Sequence, residues 1–185
     1  QTKVDANVVE RTVAKDMTPK QMLMSLDFYL VFYVCFVIVG TAIALINNIA
    51  DIVTSRSLIG YSLPVITEND LPNQEMIGTF IALFSSFNTL GRLGYGYVSD
   101  KLSSRLPRSF FLLVSCGIAL IGQVCFCFSI LPGMFVLIIM IATAYGGVFG
   151  LMHSIVADFF GEKHFGLNYG VMTFAPALGS LVLST

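Results

Sequence analysis

Apolar residues fall in long, nearly unbroken runs, not in the short alternations of a soluble fold. Runs of about 18 residues or more, the length needed to cross a hydrocarbon core, recur along the chain. They cover residues 28–49, 76–97, 109–130, 133–153 and 167–185. At about 1.5 Å per residue, each of the earlier runs reaches about 30 Å, the thickness of that core; the last barely spans it. Barrel strands are only about 10 residues long and alternate in polarity, which these runs do not. The pattern predicts an all-α integral membrane chain with five transmembrane helices.

The polar stretches between the runs carry their own information. Thr18-Pro19-Lys20-Gln21 fits a capping box, with Thr18 as N-cap, Pro19 at the first helical position and Gln21 reaching back. A helix starting there would follow the interface and enter the bilayer near Asp27-Phe28. Lys3, Arg11, Lys15 and Lys20 lie before the first run, Lys101, Arg105 and Arg108 after the second, and Lys163 after the fourth. The segment after the first run holds Arg56 among Asp51, Glu68, Asp70 and Glu75, and the Leu131-Pro132-Gly133 turn is uncharged. Basic residues thus recur at every second loop. By the positive-inside rule the N-terminus and residues 99–108 are cytoplasmic, and residues 51–75 face outside or a lumen.

Composition agrees. Of 185 residues, 56% are hydrophobic and only 11% charged, and the mean hydropathy is +0.82. Soluble domains carry roughly 25% charged residues, so this chain could not clothe a soluble surface. Ten basic residues against 11 acidic ones give no basic excess, which excludes a nucleic-acid binder. The polar N-terminal stretch matches no signal peptide. Gln1 in place of an initiator Met, and an ending inside an apolar run, lead us to expect a piece of a longer protein. Residues 1–25 read as a cytoplasmic linker with the start of an interfacial helix, and residues 26–185 as the membrane part.

The most informative stretch runs from Asn88 to Lys101. Gly91, Gly94 and Gly96 thin a helix so that a neighbouring backbone can approach, and Ser99-Asp100-Lys101 ends it at the surface. Taken singly, these are packing glycines and a charged helix stop. Together, Gly96-x-x-x-Asp100-Lys101-x-x-x-Arg105 resembles the loop signature of the major facilitator superfamily, with Ser103 and Ser104 in place of a Gly and a basic residue. Ser25-Leu26-Asp27-Phe28, Ile46-Asn47-Asn48, Leu90-Gly91-Arg92, Tyr169-Gly170 and the stretch from Pro176 to Ser180 are similar to the nodulin-like branch. The resemblance implies spans seven to eleven of a twelve-span helical bundle, a fragment whose N-terminal half is a partner within the same protein.

Arg92 is the only charge well inside a run, and burying it costs about 2.5–3.5 kcal/mol on insertion scales. It fits a cytoplasmic gate, a substrate anchor or a side chain snorkelling to the interface. A depth of about a third of the core puts the gate first, with Asp158, Glu162 or an acid of the other half as its partner. Asn88 near the midplane, and Asn47 and Asn48 at the outer end, are candidates for the translocation pathway or for interhelical glue. Gln123 reads as glue. Tyr145 is a further pathway candidate. Gly146 and Gly147 fit a hinge or merely a close crossing, and Pro176 a kink.

Other chemistry is missing from the pattern. His153, Asp158 and His164 match no zinc spacing, and Cys125-x-Cys127 points its thiols to different helix faces. No nucleophile–base set or phosphate loop argues for an enzyme, and no cofactor or metal is expected. The absence of Asp or Glu inside a run predicts that this part holds no essential proton carrier. The reading is a secondary-active or facilitative transporter moving a small solute by alternating access, the alternative being a non-transporting sensor or scaffold. Apolar walls with amides and a Tyr suit an amino acid, a monocarboxylate or a sugar alike. Its partners are that solute and the lipid bilayer of the plasma membrane or an organelle, and no nucleic acid.

Overall fold

The computed structural model describes residues 16–60, 74–103, 105–129 and 131–184. Among these, every regular element is a helix: α1 (Pro19–Leu23), α2 (Leu26–Asn47), α3 (Ile49–Gly60), α4 (Gln74–Leu102), α5 (Arg108–Phe128), α6 (Leu131–Phe160), α7 (Phe165–Met172) and α8 (Phe174–Leu183). In a bilayer a helix satisfies its own backbone hydrogen bonds, which is why long apolar runs adopt nothing else. Most of the basic positions before α1 and the outer-loop acids Glu68 and Asp70 lie outside the described residues.

The capping box at Thr18 is present: its backbone N–H donates to Gln21 Oε1 at 3.0 Å. The helix it opens is short. Ser25 interrupts it, donating its hydroxyl to the Met22 carbonyl at 2.7 Å and accepting from the Phe28 N–H at 3.3 Å as N-cap of α2. The interfacial helix and the first span are therefore two elements, not one.

Helix α6 is the axis of the bundle. More than half of its apolar window is buried, against a third or less in the other spans, and it packs on α2, α3, α4, α5 and α7. Small residues make this possible, since Ala142, Ala144, Gly146 and Gly147 are all buried on it. The other main pairing joins α2 to α8, where Gly40 and Gly179 bring the two backbones into contact. Interhelical hydrogen bonds add to packing, which is the main cohesive force within lipid. Gln123 Nε2 donates to Thr41 Oγ1 at 2.6 Å, tying α5 to α2 as expected of glue, and the buried Ser115 hydroxyl donates to the Ala144 carbonyl at 2.7 Å.

Four helical stretches among the described residues are long and apolar enough to cross a membrane: α2, α5, Gly133–Phe160 of α6, and α7 with α8 together. Helix α4 is long enough at 29 residues, but Ser85, Ser86, Asn88, Thr89 and Arg92 make it less apolar than these. It lies along α6 all the same. Three boundaries move from the sequence reading. The segment after the first run opens as a helix, α3, with Ile49 and Val53 buried. Helix α6 continues past His153 to Phe160, so Asp158 lies on its last turn and not in a loop. The last run breaks at Thr173, because Pro176 has no N–H to offer the Met172 carbonyl.

Candidate functional site

The crossing of α4 over α6 builds the site. A side chain on Gly146 would collide with the Asn88 carbonyl oxygen, one on Gly91 with the Thr143 carbonyl oxygen, and one on Gly150 with the Arg92 backbone. Gly147 faces the Tyr95 ring, where an added Cβ would stand 2.8 Å away. Glycines four apart on α6 and Gly91 on α4 therefore let the helices touch at the level of Asn88 and Arg92. Helix α6 runs unbroken through Gly146 and Gly147, so in this conformation they serve the close crossing. Gly94 and Gly96 play no such part: no atom among the described residues lies within 4 Å of a Cβ built on either.

The crossing displays Arg92 on an open face. Its Nε donates to Asn88 Oδ1 at 3.2 Å, and its guanidinium carbon stands 4.7 Å above the centre of the Phe149 ring. Tyr145 faces Arg92 closely enough to interact with it, and packs on Phe149 and Phe84 at 5.3 and 5.6 Å between ring centres. One helical turn beyond Phe149, His153 stacks on Tyr169 of α7 at 4.4 Å. Neither Asp158 nor Glu162 pairs with Arg92. Eight residues, about 12 Å of helix, separate Arg92 from Asp100 at the charged end. A cation on an aromatic ring, steadied by one amide, is held in place yet free to take an anion.

The other polar candidates divide. Asn88 belongs to this surface through Arg92. Asn47 donates to Ser184 Oγ at 2.6 Å, joining the far ends of α2 and α8, and Asn48 Nδ2 caps its own helix on the Ala44 carbonyl at 2.9 Å. These two amides have local structural partners and lie away from Arg92.

A second cluster gathers at the basic end. Arg108, first residue of α5, bridges two helices: its guanidinium donates to Asp100 at 2.9 Å and to both oxygens of Asp158 at 2.6 and 2.7 Å. The C-terminal ends of α4 and α6 are thereby fastened to the start of α5. Lys101 instead lies 5.9 Å above the Tyr97 ring, and Arg105 is exposed in the α4–α5 turn. Asp100 thus pairs with a basic residue that lies beyond the stretch from Gly96 to Arg105.

A family signature described as Major Facilitator Superfamily matches residues 11–184. The chain belongs to the major facilitator superfamily. Among proteins it resembles, Probable transporter MCH1 of Candida albicans is 30% identical over 142 residues, covering 77% of this chain and 29% of that protein. Probable transporter MCH1 of Yarrowia lipolytica is 30% identical over 162 residues, 81% of this chain and 30% of that protein. The Escherichia coli protein called Uncharacterized MFS-type transporter YhjX is 30% identical over 103 residues, 55% of this chain and 25% of that protein. The chain spans less than a third of the length of the curated relatives it matches. No solved structure matches it. Membership, together with helices long and apolar enough to cross a bilayer, makes this an integral, multi-pass membrane protein.

The folded chain also brings together what the sequence left hidden. Arg108 and Asp158 are 50 residues apart and meet only because α5 and α6 are antiparallel neighbours. Phe149 has a legible signal, since Tyr145 and Phe149 are spaced by one turn on α6 and so share a face. Nothing in the sequence says which helix that face meets.

Proposed function

We propose that this chain is the C-terminal half of a nodulin-like transporter, spans seven to eleven of twelve, that moves a small organic anion by alternating access. In this reading residues 1–25 are the linker from the first half and residues 26–185 the membrane half. The observation that carries it is Arg92: exposed, seated on Phe149 and Asn88, and paired with no carboxylate among the described residues. An unmatched guanidinium within a span is costly, and a carboxylate-bearing solute meeting Arg92 on its open face would offset that cost. Tyr145 and Asn88 supply polar contacts beside it, and the aromatic faces of Phe149 and Tyr145 suit the apolar body of a small acid. The transporter-named relatives support transport as the activity. The Asp100–Arg108–Asp158 bridge then acts as the conformational corner at the cytoplasmic mouth, a contact to be made in one state and loosened in the other.

The test is uptake into proteoliposomes by the full-length protein, with a labelled panel of a monocarboxylate, an amino acid and a neutral sugar. The carboxylate solutes should enter, and Arg92→Gln should lower their kcat/KM by roughly 10- to 100-fold, as expected for losing a charged hydrogen bond. Arg92→Lys should recover part of that loss. Binding without uptake would favour the sensor reading, and uptake of the sugar alone, indifferent to Arg92→Gln, would overturn the anion assignment.

A further inference from the structure

Alongside the α4–α6 crossing an open cavity of about 440 Å³ runs between α4 and α5, with Gly91 and Tyr95 of α4 and Thr143 of α6 where it meets the crossing. Its walls are Leu90, Gly94 and Val98 on α4 and Phe110, Phe111 and Val114 on α5. Gly94 provides much of the room, since no described atom comes within 4 Å of where its side chain would be. Leu90 and Phe110 are 58% and 43% exposed, so the groove is apolar and, among the described residues, uncovered along the bundle's flank.

The mouth of this groove is cationic. Leu90, Gly94, Val98 and Lys101 follow one another at spacings of four, four and three, which keeps them on one face of α4. Arg105 lies in the turn that joins the two helices forming the walls, and so sits over the groove's basic end. Lys101 and Arg105 are both exposed, and neither makes an ion pair among the described residues. Asp100 and Asp158 direct their carboxylates to Arg108 and not to these two residues, and the five charges together leave this corner net positive by one. From Leu90 to Lys101 is 11 residues, about 16 Å of helix, close to the depth of one leaflet's hydrocarbon. An apolar trough of leaflet depth under two free cations has the shape and charge of a single amphiphile.

We infer that the α4–α5 groove is a binding site for an anionic phospholipid of the leaflet at the basic end. One acyl chain lies along Leu90, Gly94 and Val98, and the headgroup phosphate meets Lys101 and Arg105. The bound chain fills space that Gly94 leaves open, and the phosphate supplies the counter-charge that the protein withholds from these two residues. Such a lipid bridges the first turn of α5 and the last turns of α4, the same corner that Arg108 fastens on its inner side.

The test uses full-length protein purified in detergent and offered phosphatidylserine or phosphatidylcholine with identical acyl chains, with bound lipid counted by native mass spectrometry. Phosphatidylserine should be retained in preference, and replacing both Lys101 and Arg105 by Gln should erase that preference, by roughly fivefold for each charge removed. Gly94→Phe should reduce retention of both lipids by filling the groove, with the preference of the residual binding unchanged. Val114→Trp fills the same space from α5, so a Gly94→Phe protein that fails to fold leaves the question answerable. Equal retention of the two lipids by the unaltered protein would overturn the site, as would a preference that survives loss of both cations. So would lipid binding that neither groove-filling variant diminishes, the result expected if another part of the protein covers this face.

Discussion

Gly146 and Gly96 show how differently two glycines of one bundle can behave. At Gly146 any side chain would meet the Asn88 carbonyl oxygen, and backbone cannot step aside as a side-chain tip can. Gly146→Leu should therefore cost at least about 1–3 kcal/mol, the usual penalty of overpacking. A lowered thermal transition, with loss of the monodisperse protein in detergent, is the expected readout. Gly96 has open space around it, so Gly96→Ala should be neutral or stabilising by about 0.5–1 kcal/mol, since Ala loses less backbone entropy in a helix. A large destabilisation by Gly96→Ala would mean that a further part of the protein packs on that glycine. The sequence reading offered Gly91, Gly94 and Gly96 alike for close packing, and Gly96 to the loop signature as well; among the described residues only Gly91 meets a neighbouring helix.

Between elements, the Arg108 bridge and the Pro176 break have the clearest consequences. Arg108 holds Asp100 and Asp158 with its side chain only 20% exposed, so the three charges act as a network and not as isolated surface pairs. Asp158→Asn should cost about 1 kcal/mol, and a double-mutant cycle with Arg108→Gln should show coupling between the two. Asp100→Asn should lower the maximal transport rate and shift accessibility toward one side of the membrane, while leaving the ranking of competing solutes unchanged. If solute ranking changed instead, Asp100 would belong to the binding surface. At the other joint, Pro176 denies the Met172 carbonyl a donor and the chain turns at Thr173, whose hydroxyl donates to the Gly170 carbonyl at 2.6 Å. Pro176→Ala supplies the missing N–H. Hydrogen exchange around residues 173–176 should then slow, and unchanged exchange would show that α8's packing on α2, not the proline, sets the break.

For the whole molecule, the folded chain brings Met17, Arg108 and the α6–α7 turn to one end, and the ends of α2 and α8 to the other. Met17 N–H donates to the Phe160 carbonyl at 2.9 Å, Asn168 Nδ2 donates to the Met17 carbonyl at 3.0 Å, and Asp16 accepts from the Lys163 N–H at 3.2 Å. Gly161 makes this docking possible, because it takes a positive φ of 82° and a side chain there would press on Asp16. Among the described residues, Lys20, Lys101, Arg105, Arg108 and Lys163 thus share an end. Single cysteines at Ser103 and Glu162 should react with an impermeant thiol reagent only from the cytoplasmic side. Labelling of the Ser103 position from outside would reverse the assigned orientation.

The sequence alone determined the membrane, the helices and their alternation across it, because bilayer thickness and the cost of unpaired backbone leave a long apolar run no other structure. It also marked Arg92 as the costly charge, the Thr18 cap and Gln123 as an interhelical tie, each a property of a residue type at a given depth. What it could not decide is which faces meet. Gly146 against Asn88, Arg92 on Phe149 and Arg108 between two aspartates all depend on the crossing of α4 and α5 over α6. Packing of small residues sets that crossing, and several of the glycines offered to it were equivalent on paper. Only the folded bundle chose Gly91 for contact with α6 and left Gly94 open beside the α4–α5 groove, because a helix can bury one stripe against a given neighbour and must present the others elsewhere.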